Sequence, residues 1–123
     1  MKNHFGCPVQ GTINTVSGKW KVVIIWHLGF KPRRFAELRQ LLPGISEKVL
    51  TSQLRQLETD GIVRREVKHA SPPQVTYSLT RAGEELIVPM SGLCAWGTRH
   101  LGIPPNLPRY PKPVNGMRAR HTA

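Results

Sequence analysis

This chain has few acidic residues, almost no cysteine and no long apolar run. Against 18 Lys+Arg it sets only 7 Asp+Glu in 123 residues, a formal net charge of +11. An imbalance of that size favours a polyanionic partner such as DNA, RNA or an anionic membrane surface. No apolar stretch approaches the roughly 20 residues needed to cross a bilayer. The opening Met1-Lys2-Asn3-His4-Phe5 lacks the apolar segment of a signal peptide, so a soluble, cytoplasmic protein without a membrane partner is expected. Cys7 and Cys94, the 2 cysteines, are too few for a disulfide scaffold and too far apart for a zinc motif. His4 with Cys7, or Cys94 with His100, supplies two ligands at a time, short of a metal site. Catalytic patterns are missing as well. The carboxylates are scattered, no glycine loop is built to cradle phosphate, and no Ser-His-Asp order appears at a recognisable elbow. Neither enzymatic activity nor a cofactor is expected, and no internal repeat is visible.

What is present is a run of short amphipathic segments, in a length that suits one domain. Val9, Ile13 and Val16 recur at helical spacing after Pro8, which fits the first helical position. Asn14-Thr15 places polar residues in that helix, and Ser17-Gly18 ends it. Lys19 to Leu28 holds Val22-Val23-Ile24-Ile25, which could form a buried strand. The polar start at Lys19 and Lys21 and the closure by Gly29 and Pro32 favour a central buried helix. Phe35, Leu38, Leu41 and Leu42 form the next stripe, and Pro43-Gly44 stops it. Ser46 is a good N-cap for a helix running to Asp60-Gly61, with Ile45 and Leu50 placed as a hydrophobic staple. Val63 to Lys68 and Gln74 to Leu79 read as paired strands joined across Ser71-Pro72-Pro73, with Val75, Tyr77 and Leu79 alternating with polar residues. Thr80 can cap a last long helix with the stripe Leu86, Met90, Leu93 and Gly97, in which Pro89 should produce a kink. The folded unit is expected over residues 1–103. From Pro104 five prolines fall by Pro113, and Arg109, Lys112, Arg118 and Arg120 follow with no acid, so 104–123 reads as a disordered basic tail.

Helix, Gly-containing turn, helix and hairpin together are the sequence form of a winged helix-turn-helix, here α+β and mostly helical with a two-stranded wing. At about 100° per residue, Leu50, Leu54 and Leu57 share one side of the 46–60 helix. Lys48, Thr51, Ser52, Arg55 and Thr59 fall on the other. The leucine side must pack inward, which turns outward the residue types that contact base edges and phosphates. Lys48, Thr51, Ser52 and Arg55 are the candidates for base readout, Ser46 lies at the helix start, and a plain solvated face is the alternative. In the 68–74 wing, Lys68 and His69 are candidates for phosphate or minor-groove contact, with Arg64 and Arg65 on its strands. Arg33-Arg34 is placed at the start of the first helix of the motif, as a phosphate contact or a solubilising pair. Trp20, Trp26 and Trp96 read as core or interface residues.

From Cys7 to Gly97 the chain resembles the HxlR-type regulators, relatives of the MarR group. The residues that carry the likeness are Cys7-Pro8, Gly18-Lys19-Trp20-Lys21, Arg34-Phe35-Ala36-Glu37-Leu38, Leu42-Pro43-Gly44-Ile45-Ser46, Lys48-Val49-Leu50-Thr51, Leu54-Arg55-Gln56-Leu57-Glu58, Asp60-Gly61, Pro72-Pro73, Tyr77-Ser78-Leu79-Thr80 and Trp96-Gly97, in that order. The resemblance implies a homodimeric transcriptional regulator on a palindromic double-stranded DNA operator, dimerised through its terminal helices. Repression is the expected sign, because no separate activation module is visible. A winged helix used for protein contact or RNA binding is the rival function, since fold does not fix function.

Cys7 falls beside a helix N-terminus, whose partial positive charge favours a reactive sulfur. Regulators of this type use a cysteine at that position to sense oxidants or electrophiles, which would make Cys7 a redox-sensing residue. The alternative is a small apolar residue tucked into the dimer interface. Cys94, near Leu93 and Trp96, reads as core. A small-molecule effector in a crevice between core and dimer helices is a further possibility that no residue here specifies.

Overall fold

A computed structural model describes residues 6–104. His4 and residues 105–123, with most of the expected basic tail, lie outside the described residues. The elements run α1 (Pro8–Thr15), α2 (Lys21–Leu28), β1 (Arg33–Arg34), α3 (Phe35–Leu41), α4 (Glu47–Thr59), β2 (Val63–Lys68), β3 (Gln74–Leu79) and α5 (Arg81–Leu101). The result is the expected winged helix-turn-helix, α+β and mostly helical, with one addition: the sheet has three antiparallel strands in the order β1-β3-β2.

Each element has a local cause. Cys7 is the N-cap of α1, with Pro8 at the first helical position. Thr15 is buried in α1 because its hydroxyl donates to the Gly11 carbonyl at 2.8 Å, so the polar residue needs no outside partner. The β-branched run in α2 is helical: the Ile24 amide donates to the Trp20 carbonyl at 2.9 Å. Ile24 through Leu28 are all buried, so α2 is the central pillar and can be apolar on every side.

β1 departs from the sequence expectation. Arg33 and Arg34 do not open a helix. They pair with Tyr77 and Thr76 of β3, and Arg34 is the extended N-cap of α3. The Glu37 carboxylate accepts the Arg34 backbone N–H at 3.0 Å, which satisfies a donor that a helix start leaves free. After α3, Gly44 at φ +91 makes the turn that a side chain would strain. Ser46 then caps α4, its Oγ accepting the Val49 amide at 3.0 Å. Leu50, Leu54 and Leu57 of α4 are fully buried against Ile24, Ile25, Leu38 and Leu42. Each such burial is worth roughly 1.5–3 kcal/mol.

The hairpin has the expected limits, with the register Val63↔Leu79 through Lys68↔Gln74. Tyr77 and Leu79 point into the core. Thr80 begins α5 and ties it down: its Oγ1 donates to the Gly61 carbonyl at 2.6 Å and accepts the Gly83 amide at 3.2 Å.

The α5 stripe is only partly as expected. The helix continues through Pro89, buries Ile87 and Met90, and half-buries Leu86. Leu93 is 62% exposed and Trp96 52% exposed, and Cys94 is exposed rather than in the core. A 21-residue helix spans about 30 Å. Its second half runs past the small body that could cover it.

Candidate nucleic-acid interface

The leucine stripe fixes how α4 faces. With Leu50, Leu54 and Leu57 at 0 to 1% exposure, the opposite side is turned to solvent. Lys48, Ser52, Arg55 and Thr59 are exposed there, and Thr51 is half-buried at the margin. Neither Lys48 nor Arg55 folds back into the interior. The face therefore offers two long cations and several hydroxyls on a helix narrow enough for a major groove. Ser46 is exposed at the start of this helix, but its Oγ is already engaged by the Val49 amide.

Around this helix lie other basic side chains. Lys68 and His69 are exposed at the wing, as are Arg64 and Arg65 along β2. The Arg64 guanidinium reaches the Leu79 carbonyl at 3.5 Å, which lays that side chain along the sheet. Arg34 is exposed at the N-cap of α3.

Arg33 behaves differently. Its side chain is only 15% exposed and forms an ion pair of 3.9 Å with Glu37. Its Nε donates to the His27 carbonyl at 3.4 Å. The guanidinium thus joins the end of α2 to the start of α3, and its place in β1 directs it inward, away from the solvent face. Below it His27 is buried, and its Nε2 has no hydrogen-bond partner among the described residues. Burial, and then the Arg33 charge, hold the His27 pKa below its ordinary value of 6.5. The Arg34 backbone N–H, and after it the Lys31, Arg33 and Arg34 charges, hold the Glu37 carboxyl below its usual range despite an opposing desolvation effect.

Comparison with known proteins now decides the family. The family model of the HxlR-like helix-turn-helix matches residues 15–103. The chain belongs to the HxlR-like helix-turn-helix family. The HTH-type transcriptional regulator YtcD of Bacillus subtilis is 42% identical over 100 residues, covering 81% of this chain and 79% of YtcD. YybR of the same organism is 45% identical over 95 residues, covering 77% and 76%. Among solved structures, the redox regulator HypR in its reduced form superposes with a TM-score of 0.73 at 42% identity, covering 77% of this chain and 96% of that one. The reduced form of the transcriptional regulator YodB from B. subtilis gives a TM-score of 0.71 at 33% identity, covering 76% and 93%. This HxlR-like protein is accordingly a transcriptional regulator with a helix-turn-helix fold, and its relatives are regulators rather than enzymes.

In the HxlR-like frame three further features matter. Cys7 is exposed at the N-cap of α1, open to a solution oxidant, and so is Cys94 on α5. The terminal helices show apolar side chains to solvent: Val9 and Ile13 on α1, and Leu93, Trp96 and Leu101 on α5. Arg55 also lines a cleft of about 360 Å³ together with Asn14 and Lys21, between α4 and the first two helices. Among the described residues, no helix is long and apolar enough to cross a membrane, and no group of three His, Cys, Asp or Glu side chains is placed to hold a metal ion. Sequence reasoning passed over Val49, an exposed apolar residue on α4. Its wheel position, beside Ser52 and off the leucine stripe, was the available signal.

Proposed function

We propose that this HxlR-like regulator binds double-stranded DNA as a homodimer and represses the gene whose operator it covers. In this reading α4 lies in the major groove. Lys48, Thr51, Ser52 and Arg55 meet base edges, and Ser46 lies where the helix start approaches the backbone. Lys68 and His69 at the wing, with Arg34 before α3, contact phosphates and set the register. Arg33 is left out of this set, because its charge is spent on His27 and Glu37.

The observation that carries the proposal is the two-sidedness of α4: a fully buried leucine stripe opposite an exposed Lys48–Ser52–Arg55 face. The homodimer is supported by the apolar side chains that α1 and α5 leave in water, where a second copy would cover them. To meet two half-sites one turn of DNA apart, the two-fold axis must set the two reading helices about 34 Å from each other. The basic tail over 104–123, beyond the folded unit of 1–103, adds phosphate contacts that carry no sequence information.

Cys7 is the residue we assign to oxidant sensing. It is exposed at a helix start, and the solved neighbours include the redox regulator HypR in reduced and oxidised forms. A peroxide oxidises its thiolate to a sulfenic acid and is itself reduced to water or an alcohol. The test is titration of a duplex carrying the upstream region of the protein's own gene, at graded salt. Specific binding persists against competitor DNA and falls steeply between about 50 and 200 mM salt. Equal binding to every duplex, or none, overturns the proposal.

A further inference from the structure

α4 carries one apolar side chain outside its buried stripe. Val49 is 38% exposed, and it sits at the third helical position, where its amide completes the Ser46 cap. The N-terminal half of a reading helix is where base contacts concentrate. At about 100° per residue, Val49 falls roughly a quarter turn or more from the centre of the Leu50, Leu54 and Leu57 stripe, on the side of Ser52. Residues three apart on a helix are surface neighbours, with Cβ atoms about 5–6 Å apart. Val49 and Ser52 therefore form one small patch, half apolar and half hydroxyl.

A third residue lies within reach of the hydroxyl. Gln56, one turn further on, donates its side-chain amide to Ser52 Oγ at 3.4 Å. A hydroxyl has one hydrogen to give and two lone pairs to receive. Accepting from Gln56 leaves the Ser52 hydrogen available to be given outward. The patch thus pairs an apolar surface with a hydrogen-bond donor.

In the major groove only thymine places a hydrogen-bond acceptor, O4, directly beside a methyl group on C5. Cytosine puts an amino donor there, and the purine edges carry no methyl. We propose that Val49 and Ser52 together read one thymine in each half-site, Val49 against the 5-methyl group and Ser52 donating to O4. This rests on the placement of α4 in the major groove proposed above, and it adds a named base and a residue chosen for apolar contact to a face otherwise described by its charge.

The experiment uses the full chain and a duplex selected by it from a randomised double-stranded pool. Each thymine of that duplex is replaced in turn by deoxyuridine, which removes the methyl and keeps O4. At one position per half-site the wild type is expected to lose about fourfold in affinity, the value of burying one methyl group at about 0.8 kcal/mol. The Val49→Ala variant is expected to bind the thymine and deoxyuridine forms alike. Ser52→Ala is expected to bind the thymine duplex more weakly while keeping its response to the methyl. Both side chains lie on the exposed side, and a thermal melt by circular dichroism confirms that each variant folds. A selected duplex in which no thymine methyl matters, or a Val49→Ala protein that still discriminates, overturns the inference and leaves the DNA-reading assignment standing. Failure to select any duplex overturns both.

Discussion

Gly83 of α5 lies directly against the backbone carbonyl of Ile62, and a Cβ at that position would collide with this oxygen and crowd the Leu79 side chain. The close approach lets the first turn of α5 seat on the junction between α4 and the wing. Thr80 reinforces it from the same turn, with its hydroxyl between the Gly61 carbonyl and the Gly83 amide. Gly83→Ala is expected to lower stability by about 1–3 kcal/mol, as overpacking does elsewhere, although alanine is the better helix former. Urea unfolding of the two proteins measures this. A variant as stable as the wild type, or more so, would show that the contact relaxes freely.

His27 gives the fold a pH dependence whose sign follows from its surroundings. Burial and the Arg33 charge lower its pKa below 6.5, so the folded state binds the proton less tightly than the unfolded chain. Below pH 6.5 the unfolded state takes up a proton that the folded state refuses, and stability falls until the pH passes the folded value. Above pH 6.5 this contribution is flat. Denaturation midpoints between pH 8 and 5 should show the decline in the wild type and a smaller slope in His27→Phe, which keeps an apolar ring in the site. Equal slopes in both would assign the effect to other groups.

The proposed readout separates two kinds of arginine and lysine. Arg55→Ala is expected to cost about 1–3 kcal/mol on the preferred duplex and to relax preference at one position per half-site. Lys68→Ala is expected to weaken all duplexes alike and to reduce the slope of binding against salt. Arg33→Ala acts elsewhere. It removes the link between the His27 carbonyl and Glu37, so its main effect is on stability. Competition binding across a panel of duplexes at several salt concentrations distinguishes the three patterns, and a uniform loss for Arg55→Ala would remove that residue from the base-reading set.

Association through the terminal helices predicts that Trp96→Glu dissociates the protein without unfolding it. Trp96 stacks near His100 at 5.0 Å between ring centres and is otherwise 52% exposed, so the protomer loses little. Analytical ultracentrifugation should show a dimer for the wild type and a monomer for the variant, and a dimer in both would place the interface elsewhere.

Cys7→Ser should keep duplex affinity and lose any response to peroxide, whereas Cys94→Ser should leave that response intact. Both thiols are exposed, so exposure alone does not choose between them, and the two variants do. A response carried by Cys94 would reverse the assignment.

The sequence made α4 and the wing legible because their causes are local. Ser46, the spacing of Leu50, Leu54 and Leu57, and the glycine at 61 delimit α4 without reference to the rest of the chain. Val75, Tyr77 and Leu79 alternate as only a strand on a core does. β1 was hidden because two residues carry no period, and its partners Tyr77 and Thr76 are far along the chain. For the same reason the inward turn of Arg33 could not be seen, and a pair of arginines read as two equivalent cations. The stripe on α5 was misjudged in a different way: periodicity tells which side chains share a face, not how far the neighbouring body extends. Leu93 and Cys94 fall past its edge.

The Lys48–Arg55 face of α4 is proposed to occupy a major groove. Guanine N7 lies in that groove, so methylation protection of a bound duplex tests the claim most directly. Protected guanines are expected in two clusters about one helical turn apart, with protection weakened at one position per cluster by Arg55→Ala. Protection that is absent while the protein is bound, or unchanged by substitution at Lys48 and Arg55, would contradict it.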